Sequence, residues 1–496
     1  MDSVGYSFLV ERFGLDVCEP CVRCERIAGT TATVRTDGWR EERGIPARSA
    51  PKDDSWQAHL SFALKHEGAN FEVLKAFFAV VPEDELRAFV LSRRTGRACR
   101  RAGFFYEWLT GRRLDVPDLK TGNYVPALDG ARQLALPVSS SSRAPRFRVL
   151  DNLPGTPDFC PLLRWTPPLR ELSAGVLRRE AERLLADYPA ELLYRAVRYL
   201  YVKETKSSFE IERETPGRRR VEAFVALLRD TSAPPWDEAR FVSLQNRVVD
   251  PRYADSGWRT TQVYVGETLA PGRERVHYVA PRAEDLPRLV AGWLAASRRL
   301  LATDLDAVAL AAVLAFAFVF LHPFDDGNGR IHRFLLHDVL RRRGFVPEDV
   351  VLPVSAVLLK RPALYDRMLE SFSARAMPHV PFSMDDRGEV TVRGDTSDLY
   401  RFPDFTFVAE NFARVVRETI ETEWKAELDF LRDYDRIRER MLDIVDMPES
   451  RANLFLRLVL QNGGRLSARK RGLFPELSDD EVAALERAAN LAEPRD

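Results

Sequence analysis

Of 496 residues only five are cysteine, seven histidine and six methionine. So few thiols, odd in number, exclude a disulfide-built scaffold and point to a reducing compartment. Cys18, Cys21 and Cys24 are spaced like the start of a zinc site. Such a site needs a fourth ligand, and nothing in the spacing of His59 or Cys99 supplies one, so ordinary reduced thiols are expected. Surplus charge is missing too: 74 Lys plus Arg against 74 Asp plus Glu leave a net charge of zero. No long-range pull toward nucleic acid or anionic lipid follows. The cations are mostly arginine, which hints at a GC-rich bacterial source. The apolar run Ala307–Leu321 stops short of the roughly 18 residues of a membrane span. The start of the chain, with Asp2, has no basic segment ahead of an apolar core, so no signal peptide is expected. The expectation is a soluble, cytoplasmic protein with no membrane partner. No Gly-x-x-x-x-Gly-Lys-Ser/Thr occurs, which excludes a P-loop. No 20–50-residue period repeats, which excludes a solenoid.

What the sequence does hold is concentrated in twelve residues, His322-Pro-Phe-Asp-Asp-Gly-Asn-Gly-Arg-Ile-His-Arg333. Ala307–Leu321 ahead of them is too long for a strand and reads as a buried helix. Behind them Arg330–Arg343 carries Ile331, Phe334, Leu335, Val339 and Leu340 on one helix face, and Gly344 ends it. The segment is therefore a loop feeding a helix N-terminus, where free N–H groups point at an anion. Gly327 and Gly329 allow close approach of a ligand to the backbone. Asp326 is a hard oxygen donor of the kind magnesium takes beside substrate phosphates. Arg330 and Arg333, one turn apart, can clamp phosphate oxygens. His322 is the nearby group able to accept a proton at neutral pH.

These residues resemble the signature of the Fic family, His-x-Phe-x-Asp/Glu-Gly-Asn-Gly-Arg-x-x-Arg, at every fixed position. The resemblance implies a mainly α fold, a Fic-type helical core with one β-hairpin flap, extended by helical N- and C-terminal regions. It implies transfer of AMP from ATP to a Ser, Thr or Tyr hydroxyl of a target protein. His322 would then be the base, and Asp326 would hold magnesium on the α- and β-phosphates. Gly327, Asn328 and Gly329 would form the anion hole. Arg330 would bind phosphate oxygens, Arg333 would grip the γ-phosphate, and Phe324 would anchor the loop. The related Doc kinases break the Gly-Asn-Gly run with a lysine, whereas this chain keeps Gly329.

Ser208 and Glu212, four apart, resemble the family's inhibitory Ser/Thr-x-x-x-Glu-Gly/Asn motif, with Arg213 where Gly or Asn is usual. The resemblance implies that Glu212 pairs with Arg333 and that Ile211 packs the segment down; Glu210 and Glu214 lack a Ser or Thr four residues earlier. Arg259–Val279 is the one convincing β element, two runs of strand formers around Gly266 and Pro271-Gly272. It lies where the family carries the flap, so the target is expected to dock on residues 260–279 by backbone pairing. Tyr365, on a helix from Pro362 to Phe372, is the candidate adenine-pocket residue by the same resemblance.

Four regions follow: 1–170 mixed helix and loop; 171–245 helical with the inhibitory-like motif, its second helix ending near Lys203; 246–385 the core; 386–496 helical. Ser139–Arg146 reads as a flexible loop. Leu454–Arg471, basic around a Gly-Gly turn, leaves a helix-turn-helix contact with nucleic acid open against a packing or homodimerisation module. The alternatives in function are another chemistry of the same family (a different nucleotide donor, phosphocholine transfer or removal of AMP) or a non-enzymatic helical or DNA-binding protein.

Overall fold

The computed structural model describes residues 2–230, 232, 234–270, 273–347 and 350–490. It is mainly helical, as expected, and everything is arranged around one helix, Ala307–Leu321. All fifteen of its side chains are buried, so no polar face breaks the run, and Asp306 accepts hydrogen bonds from Val308 and Ala309 N–H at its start. Helices Leu286–Leu301, Asn328–Arg342 and Thr406–Glu418 pack around it. The apolar core they share draws on Cys18 and Leu134 of the N-terminal region, runs on to Trp424, and includes helices Ala174–Ala186, Ala190–Ile211, Arg218–Arg229 and Glu238–Val248. A second core belongs to the N-terminal region and holds the aromatics Phe104, Phe105 and Tyr106 of helix Arg97–Thr110. A third holds the tail helices Glu449–Gln461 and Asp479–Asn490 together.

The flap is present as antiparallel strands Tyr264–Ala270 and Arg273–Val279. Pro271-Gly272, read as its turn, lies outside the described residues. The register slips between Val265 and Gly266, where a Cβ would meet the Arg275 carbonyl at 2.5 Å. Only glycine permits that close approach.

Several expectations need correction. The flap is not the only β element. The N-terminal region carries a four-stranded sheet in the order Ser3–Val4, Val22–Ile27, Arg40–Pro46, Thr33–Asp37, whose central pair is parallel. Thr33–Asp37 is exposed along its whole length, so no apolar alternation marked it; the Asp37-Gly38 pair was the available hairpin signal. The loop expected at Ser139–Arg146 contributes strand Ser142–Ala144 to a small sheet with Val125–Pro126 and Val149–Asp151. A further hairpin joins Phe382–Met384 to Val390–Val392. The helix expected to stop near Lys203 continues to Ile211, because Glu204, Thr205, Ser207 and Ser208 are buried against neighbours that satisfy most of their polar atoms. In the tail, the basic stretch forms only the four-residue helix Ala468–Arg471. Arg471 is engaged by Asp479 at the surface and by the Leu477 carbonyl.

Candidate active site

The motif loop begins with a change of hand. His322 caps the central helix at φ 49°, ψ 59°, a left-handed conformation that a non-glycine residue adopts under constraint. Its Nδ1 lies 3.2 Å from the Val319 carbonyl. A proton there leaves the Nε2 lone pair free. Burial, followed by the nearby Arg259 charge, pushes the imidazole down to about 4. The ring is therefore neutral at pH 7 and able to accept a proton.

The next residues are held rigidly. Phe324 is fully buried, with its ring 5.1 Å from Trp258. Asn328 turns its amide back on the loop: its Oδ1 accepts from Phe324 N–H at 3.1 Å and its Nδ2 donates to the Phe324 carbonyl at 2.7 Å. The side chain thus braces the loop, and only main-chain N–H remains to offer an anion. Helix Asn328–Arg342 starts here, two residues earlier than expected. Gly327 has φ 93°, and a Cβ on it would strike Val249 at 2.9 Å.

Both motif arginines are buried and both are engaged. Arg333 donates from Nε to Ser208 Oγ at 2.8 Å, and from Nη2 to the Ser208 carbonyl and to Glu212 Oε1, each at 2.7 Å. Its Nη1 lies 3.5 Å from the Tyr365 hydroxyl. Burial works against its charge, but Glu212 and the Tyr365 hydroxyl together more than compensate and the guanidinium is raised. Arg330 donates to the Val248 carbonyl at 2.8 Å and to Asp326 Oδ1 at 2.7 Å, and its Nη1 pairs with Glu214 Oε1 at 2.9 Å. Glu214 is held in turn by Arg220 at 2.7 Å. The pairing of Glu214 with Arg330 was not expected from the sequence, since no Ser or Thr spacing marks it.

The carboxylate of Glu212 sits over the loop: a Cβ on Gly329 would meet Glu212 Oε1 at 2.1 Å. Glu212 lies just past the last turn of helix Ala190–Ile211, and Arg213 takes φ 57°. The glycine or asparagine of the resembled motif thus matches a left-handed position, which arginine fills here at some conformational cost. Phe209, fully buried beneath the Arg330 and Arg220 guanidiniums, packs this helix end down, while Ile211 is only half-buried. Further up the helix, on the Ser208 and Glu212 face, Glu204 receives His337 Nε2 at 2.8 Å and Ser355 N–H at 2.9 Å. The helix therefore meets the motif helix through three polar rungs.

Asp326 is half-buried in the loop, beside the exposed Asp325. Its Oδ1 accepts from Gly327 N–H at 2.6 Å and from Arg330, with Oδ2 left over. Among the described residues no group of three or more His, Cys, Asp and Glu is arranged to hold a metal ion. One hard carboxylate beside phosphate-binding arginines does suit magnesium, which takes few protein ligands and the rest from phosphates and water. Tyr365 is buried with its ring near His332 and Phe316, and its hydroxyl is raised by burial. It thus lies behind Arg333. Cys18, Cys21 and Cys24 are all buried free thiols in the N-terminal region, with Cys18 packed into the same core as the central helix and Cys24 in a small separate cluster. No helix among the described residues is long and apolar enough to cross a membrane.

Residues 235–340 match the model of the Fic/DOC family. Over 96 residues the chain is 40% identical to Protein adenylyltransferase fic-1 of Caenorhabditis elegans, covering 19% of this chain and 16% of that protein. Over 90 residues it is 38% identical to Protein adenylyltransferase Fic of Culex quinquefasciatus, covering 18% of this chain and 16% of that protein. The matched stretch is thus about a sixth of these relatives' own length. A solved Fic family protein from Desulfovibrio desulfuricans G20 aligns over 56% of this chain and 80% of its own, at 19% identity and a TM-score of 0.38.

Proposed function

As a Fic family protein, this chain is, we propose, a protein adenylyltransferase that moves AMP from ATP onto a hydroxyl of a target protein and is restrained by its own Glu212. The observation that carries the reading is the complete motif loop seated on a helix N-terminus, with a neutral imidazole at its mouth. In this reaction the target hydroxyl oxygen attacks the α-phosphorus. The bond to pyrophosphate breaks and the hydroxyl proton passes to His322 Nε2. Main-chain N–H groups of Gly327, Asn328 and Gly329 stabilise charge on the phosphate oxygens. Arg330 and Arg333, freed from their carboxylates, fix the β- and γ-phosphates so that the α-phosphate faces the base. Asp326 would hold magnesium, which when bound neutralises phosphate charge. The target segment would pair with the flap strand, giving affinity with little side-chain specificity.

Glu212 opposes this geometry. While it holds Arg333 and overlies Gly329, the γ-phosphate has neither its clamp nor its space. The direct test is Glu212→Gly protein incubated with ATP labelled on the α-phosphate, then on the γ-phosphate. The reading requires α-label on protein, no γ-label, and loss of labelling with Asp326→Asn or excess chelator. Transfer of γ-label, or full activity in chelator, would refute it.

A further inference from the structure

Arg259 is buried at the root of the flap, 4% exposed, and among the described residues no carboxylate forms an ion pair with it. Its donors go to main-chain carbonyls. Nε reaches His322 at 2.7 Å, Nη1 reaches Thr261 at 2.7 Å and Nη2 reaches Pro281 at 2.6 Å. Its own main-chain N–H donates to Pro323 at 2.9 Å. The acceptors belong to three separate pieces of chain: the leg entering the flap, the leg leaving it, and the first two residues of the catalytic loop. Nearby, Ala280 N–H closes the two legs on the Val263 carbonyl at 3.1 Å, and Thr261 Oγ1 donates to Asp325 at 2.7 Å.

Burying a cation without an acid is unfavourable, and burial pushes this guanidinium down to about 10, so it stays charged at neutral pH. A planar fork fixes the angles between three acceptors at once, which a flexible ammonium does not. The carbonyl held by Nε belongs to His322, whose left-handed backbone persists only where its surroundings over-determine it. We propose that Arg259 is a positioning residue for the transfer reaction: it locks the main chain of His322 to both legs of the flap, so that a strand paired with the flap presents its hydroxyl at a fixed distance from the imidazole. This rests on the transferase reading above. The charges facing the imidazole are Arg259 from the flap root, Glu212 from the long helix and Asp326 from the loop. After burial, Arg259 is the largest influence keeping the ring unprotonated.

The test uses the full chain in the Glu212→Gly background, with self-modification by α-labelled ATP as the activity and NMR titration of ring-labelled histidine as a second readout, His322→Ala supplying the assignment. Arg259→Gln should lower the self-modification rate about 10²-fold, the scale of a misplaced reacting group, with the KM for ATP unchanged. It should also move His322 up from about 4 toward the ordinary imidazole range. Arg259→Lys keeps the charge, so His322 should titrate as in the parent while the rate stays depressed. Parental rates in both variants would overturn the proposal. So would parallel loss of rate, ATP affinity and melting temperature, which marks a residue that merely supports the fold. If the Glu212→Gly parent itself transfers nothing, it is the transferase reading that fails. The three titrations would then still decide whether Arg259 governs the imidazole.

Discussion

Two sets of buried arginines in this molecule do opposite work with the same chemistry. At the seam between the N-terminal region and the helical core, Arg164 pairs with Glu41 and Asp404, and the three side chains are 12, 13 and 14% exposed. At the motif, Arg330 and Arg333 are as deeply buried, but their partners Glu214 and Glu212 are 31 and 35% exposed. A carboxylate with a route to water can leave its arginine without being stranded. One enclosed on all sides cannot, because an unpaired buried charge is strongly unfavourable. On the proposed mechanism the first arrangement is a permanent fastening and the second a releasable one.

The largest effect sharpens this contrast by removing chemistry without touching either set of pairs. His322→Ala should lower transfer about 10²–10⁴-fold, with ATP binding and melting temperature unchanged, as read by labelled-ATP incorporation and calorimetry. Next, Arg164→Met takes the ion-pair partner from Asp404 and leaves Glu41 with Arg43 alone, and should destabilise the chain by about 3 kcal/mol, seen as an early transition in thermal unfolding. Glu212→Gly should cost less stability than Arg164→Met, because Arg333 keeps its bonds to Ser208, while raising self-modification by about 5–150-fold, the range of a typical coupling energy; Arg333→Ala in that background should undo the gain. If the two substitutions have similar effects on stability, the contrast fails. Glu214→Gln should add a few-fold to the Glu212→Gly rate by freeing Arg330, since a part-exposed charged hydrogen bond contributes about 1 kcal/mol. The smallest effect is on pH. A free imidazole would lose activity below about 6.5, whereas His322 stays neutral until its depressed value of about 4. Transfer by the released protein should therefore hold from pH 7 down to about 5 in a rate-against-pH profile.

The motif loop was legible in the sequence because its parts are contiguous: imidazole, carboxylate, glycines and arginines fall within twelve residues, and their spacing alone sets them on one loop and one helix turn. Ser208 and Glu212 were legible because a four-residue spacing means one helix face. Glu214 and Arg259 were not. One meets Arg330 across more than a hundred positions, and the other sits sixty-three residues before the carbonyl it holds. No local periodicity encodes such pairings. The N-terminal sheet escaped for the opposite reason. Its strands have plain local geometry, but Thr33–Asp37 and much of Arg40–Pro46 face solvent and carry charge where alternation would be sought. Phe209 looked like any aromatic in an acidic stretch until Arg330 and Arg220 were found over its ring.

If Glu212 restrains the protein as proposed, Arg213 sets the threshold of that restraint. Its backbone at φ 57° is disfavoured by about 1–2 kcal/mol relative to an ordinary helical conformation, and that strain lies one residue from the carboxylate that does the restraining. The held state is raised in energy by that amount. A chain with glycine here would be more firmly silent by a factor of about 5–30. On that proposal the arginine would work as a sensitivity setting, placing the resting protein nearer to release than glycine would.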